Sequence, residues 1–232
     1  MKKRILLLSS SSVHGSGYLD YCESEIKSFL GTIQDILFIP YASADWDGYA
    51  HVARERFERM GYVLNSVHES DSSLDAVQNA HAIFIGGGNT FRLLSRLYEY
   101  NLLEAIRARV KDGMPYLGVS AGLNVACANI QTTNDMPIAY PPSFDALGLV
   151  PFNPNPHYID PDMSTTHRGE TRDDRIKEFL EENTNTVVGL REGGILHIEN
   201  GAMTLKGRGA KVFFVDGRVV EHARGDDLSF LL

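Results

Sequence analysis

The chain is built from short apolar runs separated by segments whose apolar positions recur every three or four residues. Residues 5–8 (ILLL), 36–39 (ILFI), 83–85 (IFI) and 116–119 (YLGV) are uninterrupted by polar side chains. They are too short for helices and show no two-residue alternation, so they read as strands buried on both faces. Residues 18–30 and the segment that follows residue 48 carry helical spacing instead. In the latter, Tyr49, Val52, Ala53, Phe57 and Met60 fall on one face. Gly31 and Gly61 end these two segments, where glycine accepts the left-handed backbone of a helix terminus. A strand over 62–67, a helix from about Thr90 and another ending near Gly113 continue the series. Strand–helix alternation of this kind predicts parallel strands joined by crossover helices.

Residues 129–168 break the pattern with a Pro-rich, irregular stretch, which predicts a long loop of functional importance. Beyond it, Thr171-x-x-Asp174 has the form of a capping box at the start of a helix with Ile176, Phe179 and Leu180 facing inward. The tail alternates short strands (187–190, 195–198, 202–205, 211–215 and 219–221) with turns, Asp216-Gly217 being suited to a hairpin. The fold expected is therefore α/β: a mostly parallel sheet with flanking helices and a short antiparallel C-terminal portion. The 232 residues suit a single domain spanning 1–232.

Composition narrows the function classes. The chain has 22 basic and 30 acidic residues, a formal charge of −8. That argues against non-specific binding to nucleic acid or an anionic membrane. The two cysteines, Cys22 and Cys127, are far apart and lack C-x-x-C spacing, which argues against a disulfide framework or a thiolate zinc site. The N-terminal apolar run is too short for a signal sequence, and nothing approaches a membrane-spanning length, so a cytoplasmic protein is expected. Neither H-E-x-x-H nor another two-histidine zinc spacing occurs, so no metal and no organic cofactor is expected.

Chemistry concentrates in a few segments. Gly118, Val119, Ser120, Ala121 and Gly122 read G-x-S-x-G between a predicted strand and a helix. Small flanking residues tolerate the strained turn that lifts a serine hydroxyl clear of the backbone, and the Ala121 N–H then faces a developing oxyanion. Alone the motif is weak, since chance produces it in roughly one sequence in ten of this length. FIGGGNTF (84–91) places three glycines after a strand and lacks both the Walker lysine and G-x-G-x-x-G spacing. It can cradle an anion, or supply the other oxyanion donor through Gly87 or Gly88. Among the histidines, His157 in N-P-N-P-H leads as general base, ahead of His14 and His167. Glu192, at the end of a predicted strand in LREGG, and Asp135, in TTNDMP, are candidates to orient that base.

Together these pieces resemble peptidase E, the α-aspartyl dipeptidase family of serine peptidases. The resemblance is carried by FIGGGNTF, YLGVSAGLNVAC, TTNDMP with FDALGL, NPH, HRGETRDDRI and the LREG turn, and covers nearly the whole chain. It implies a fold related to class I glutamine amidotransferases and hydrolysis of dipeptides with an N-terminal L-aspartate. By matching motif it implies Ser120 as nucleophile, His157 as base, and Ala121 with Gly88 as oxyanion donors. Asp135 and Glu192 both remain open as third member, with position at a strand end favouring Glu192. An aspartyl side chain needs a cation, and Arg172, in the first turn of a helix, is the candidate. Rival readings are a hydrolase of β-aspartyl links, an esterase, or a catalytically silent module that binds a small anion.

Overall fold

The computed structural model describes residues 3–162, 164, 166 and 169–232. The first half alternates as the apolar pattern predicts. It runs β1 (Arg4–Leu8), α1 (Glu23–Leu30), β2 (Asp35–Ile39), α2 (Trp46–Met60), β3 (Val63–Ser66), α3 (Ser73–Asn79) and β4 (Ile83–Ile85). Helices α4 (Thr90–Glu99) and α5 (Leu102–Lys111) follow, then β5 (Tyr116–Val119) and α6 (Ala121–Asn124). The second half comprises β6 (Asn153–Tyr158), α7 (Arg172–Glu182), β7 (Val187–Arg191), β8 (Gly194–Glu199), β9 (Ala202–Gly207), β10 (Ala210–Phe213) and β11 (Val219–His222).

The strands form two sheets. A seven-stranded sheet has the order β3-β2-β4-β5-β1-β8-β9. Its first five strands are parallel, and β8 and β9 extend it antiparallel beyond β1. A four-stranded sheet has the order β11-β10-β7-β6, with β6 parallel to β7 and the others antiparallel. The chain passes between sheets at the turn from β7 to β8, which carries Glu192.

Strand β1 shows why the apolar runs lack alternation. Ile5 and Leu7 belong to the core layer that includes α3, α4 and α5 on one face, and Leu6 and Leu8 to the layer that includes α1 and α2 on the other. All four are fully buried. Burying each contributes about 1.5–3 kcal/mol, so a polar residue at any of them would break the layer. No helix among the described residues is long and apolar enough to cross a membrane.

Two expectations need correction. Residues 18–22 are turns, not the first turns of α1. Leu19 has φ 57° and Asp20 accepts the Gly17 N–H, so the chain bends before the helix begins at Glu23. The stretch 129–168 also contains a strand, β6, despite Pro154 and Pro156. Proline removes a donor, but β6 lies at a sheet edge and pairs only with β7. Its outer side is stitched to the preceding loop: the Thr132 hydroxyl donates to Pro154 O (2.8 Å) and the Asn134 amide to Pro156 O (2.8 Å).

Candidate active site

The C-terminal ends of β1, β2, β4 and β5 lie on one edge, where parallel sheets present their loops to ligands. Residues from all four loops line a cleft of about 1060 Å³, among them Ser11, Asp45, Gly88 and Ser120. His157 reaches the same cleft from β6 of the second sheet.

Ser120 sits between β5 and α6 with φ 51° and ψ −103°, a conformation that costs a non-glycine residue about 1–3 kcal/mol. The backbone holds it there: Ser120 N–H donates to Leu8 O (2.9 Å), and Asn124 N–H donates to Ser120 O (2.9 Å). The flanking glycines are required by space. A Cβ on Gly118 would lie 2.5 Å from Gly122 O, and one on Gly122 would lie 2.2 Å from Ile85 O. The turn is thus pressed against β4.

The Ser120 hydroxyl lies 3.0 Å from His157 Nε2, and His157 Nδ1 lies 2.9 Å from Glu192 Oε1. A carboxylate can only accept, so Nδ1 carries the proton and Nε2 is left to accept from the serine. Glu192 is more exposed than His157, with 53% and 39% of their side chains accessible. The carboxylate therefore acts on the imidazole mainly by orientation, since solvent screens its charge.

Asp135 is used differently. Its Oδ2 accepts the N–H of Thr90 (2.7 Å), the first residue of α4. Around that contact, Thr133 Oγ1 donates to Thr90 Oγ1 (3.1 Å) and Asn124 Nδ2 donates to both hydroxyls. Asn89, the N-cap of α4, donates through its amide to Met136 O (2.8 Å). TTNDMP thereby anchors the glycine loop. Asp135 lines the cleft, but the carboxylate hydrogen-bonded to His157 is Glu192.

The glycine loop brings backbone donors to the serine. Gly88 has φ 133°, and a Cβ there would lie 2.6 Å from Ala42 O. Gly87 N–H is taken up by the Tyr49 hydroxyl (2.8 Å). Burial pushes that phenol above the usual tyrosine value, so it stays a neutral hydroxyl. Among the described residues, Gly88 N–H and Ala121 N–H have no hydrogen-bond acceptor.

Arg172 opens α7 and is not among the residues lining the cleft. Burial, then repulsion from Arg175, pull its pKa below the usual guanidinium value. Its acidic neighbours are engaged elsewhere: Glu170 with Arg175, Asp173 with the Tyr158 hydroxyl, Asp174 with Thr171. The guanidinium in the cleft wall is Arg92. His14 is exposed and is not among the residues lining the cleft, and His167 lies outside the described residues. His51, which no motif marks, lines the cleft. Among the described residues, no three His, Cys, Asp or Glu side chains cluster as metal ligands would. Sequence reasoning missed Tyr49 and Arg92, whose spacing carries no motif; only the fold brings them to this edge.

A family model for peptidase family S51 matches residues 5–206. Peptidase E of Streptomyces coelicolor is 48% identical over 229 residues, covering 98% of this chain and 94% of the relative. A Drosophila melanogaster protein named "probable alpha-aspartyl dipeptidase" is 47% identical over 234 residues, covering 99% and 98%. The crystal structure of a peptidase from an acI-B1 Actinobacterium superposes with a TM-score of 0.72, covering 99% of this chain and 98% of that one. At 20% identity that likeness shows the fold.

Proposed function

Because the chain belongs to peptidase family S51, a family of serine peptidases, we propose that it hydrolyses dipeptides with an N-terminal L-aspartate through an acyl-enzyme on Ser120. The observation that carries this reading is the hydrogen-bonded series Ser120–His157–Glu192, at 3.0 and 2.9 Å, starting from a serine held in a strained turn. His157 Nε2 takes the hydroxyl proton as Oγ bonds to the scissile carbonyl carbon. The oxyanion accepts from Ala121 and Gly88 N–H groups, which need no reorganisation to receive it. His157 then gives the proton to the leaving amine as the C–N bond breaks. Water, deprotonated by His157, attacks the ester carbonyl and releases the free acid and Ser120.

Aspartyl selectivity rests on the resemblance, on the relative's name and on Arg172, whose charge has no ion-pair partner among the described residues. Arg92 is the second reading, favoured by its place in the cleft wall. The test compares Asp-Leu with Asn-Leu and with the β-linked isomer. A site that pairs a carboxylate should favour Asp-Leu over Asn-Leu by on the order of 10⁴ in kcat/KM. Arg172→Gln should erase most of that preference by slowing Asp-Leu alone. If Arg92→Gln does so instead, the role passes to Arg92. Turnover of the β-linked isomer in place of Asp-Leu would contradict the α-aspartyl reading.

A further inference from the structure

The nucleophile belongs to one sheet, and the base and its carboxylate to the end of the other. Something must set the register between them. Two consecutive residues at the end of β1 bond to the backbone of the nucleophile, of the base, and of the strand that leads to the carboxylate. Leu8 O accepts the Ser120 N–H (2.9 Å). The next side chain, Ser9, accepts the His157 N–H through Oγ (2.9 Å) and donates to Leu190 O (2.8 Å). Leu190 lies two residues before Glu192.

The His157 N–H needs that partner. Pro156 pairs with Leu190 and Tyr158 with Arg191, so His157 is the extra residue of a bulge, at φ 52°. A bulged residue is left without a ladder partner, and here a hydroxyl from the other sheet takes its place. Ser9 is fully buried, so water is not at hand to substitute. The adjoining turn is tied to the same strand end, by Ser9 N–H to Gly194 O (3.0 Å) and Gly193 N–H to Ser10 Oγ (3.2 Å).

We propose that Ser9 is a positioning residue: its hydroxyl holds the His157 backbone and the β7 end at one fixed distance from Ser120, so that the imidazole meets serine and carboxylate together. The hydroxyl touches no substrate and moves no proton of the reaction. It acts on the rate through His157 alone. This inference rests on the Ser120–His157–Glu192 reading above.

The test is steady-state kinetics of the full chain on Asp-Leu, or on whichever substrate wild type turns over. The variants are Ser9→Ala, Ser9→Cys and Ser66→Ala, each with a thermal melt. Misplacing a catalytic group by about an ångström costs on the order of 100-fold. Ser9→Ala should therefore lower kcat by about that factor and leave KM within a few-fold. Ser9→Cys, nearly isosteric but a weaker hydrogen-bonding group, should fall between. Ser66 is equally buried and bonded to His68 away from the nucleophile, so Ser66→Ala should lower the Tm and spare kcat. Wild-type kcat in Ser9→Ala, or a loss matched by Ser66→Ala, overturns the proposal. If Ser9→Ala does not fold, Ser9→Cys decides, and full kcat in it overturns the proposal. Ser120→Ala separates the two claims: activity surviving that change sinks the serine mechanism, whereas an inactive Ser120→Ala beside a fully active Ser9→Ala sinks only the role of Ser9.

Discussion

Ser120 and His157 both hold positive φ, at 51° and 52°. Each would relax if its backbone hydrogen bonds were lost, so the geometry is supported from outside the two residues. Glu192 and Asp135 show how unlike two carboxylates in one region can be. Glu192→Gln keeps shape but can place an N–H against His157 Nδ1, favouring the wrong tautomer, and should cost about 10⁴ in kcat with little change in Tm. Asp135→Ala removes the acceptor of the Thr90 N–H at the start of α4 and should cost about 1–2 kcal/mol of stability. Its kcat should stay well above that of Glu192→Gln. Kinetics and chemical denaturation of the two variants check this, and an equally deep kcat loss in Asp135→Ala would contradict the assignment. At this scale the sequence was legible where chemistry has a local signature. G-x-S-x-G singles out Ser120 and N-P-N-P-H singles out His157 as candidates, and the structure sets the two side chains 3.0 Å apart. Position at a strand end favoured Glu192 over Asp135 but left both open, because the contact that distinguishes them joins residues 35 positions apart.

Among the elements, the alternating first half was readable because each parallel strand is a continuous apolar run, buried on both faces. Strand β6 was not, since its two prolines argue for a loop unless the strand is known to lie at an edge. A clamp beside it holds β6 against β7. Arg191 donates to both oxygens of Asp160 (2.8 and 2.9 Å) and also meets Glu221, while Lys211 reaches Asp160 at 2.7 Å. The Arg191 guanidinium, then Lys211, hold the Asp160 carboxyl far below the usual carboxylate range. A depressed pKa means stabilisation that is complete above about pH 5 and declines as pH falls below the unfolded value near 4. Asp160→Asn should therefore lower Tm at pH 7, and the gap from wild type should narrow between about pH 5 and pH 3. Melting curves across that range test it; a gap independent of pH would mean that the ion pair contributes nothing. Arg191 thus locks the end of β7, next to Glu192, to the residues that follow β6 and His157.

Across the whole molecule, the site forms where two sheets meet at the end of β1. That division was not legible: pairing partners of the C-terminal strands are set by long-range packing, and an isolated short strand carries no record of which sheet it joins. The α/β class, the helices on both faces and the site edge were legible, because they follow from apolar periodicity and strand direction. The acidic balance of the chain does not help an anionic substrate arrive, so under the proposed function attraction has to come from local groups such as Arg92, Arg172 and the free Gly88 and Ala121 amides. The central claim, attack by Ser120 on an aspartyl carbonyl, is tested most directly by intact-mass spectrometry of enzyme quenched during turnover of an activated L-aspartyl ester. The account predicts a species heavier by one aspartyl residue, mapped to the peptide carrying Ser120 and absent in Ser120→Ala. Full turnover with no such species, or the same species in Ser120→Ala, would contradict it.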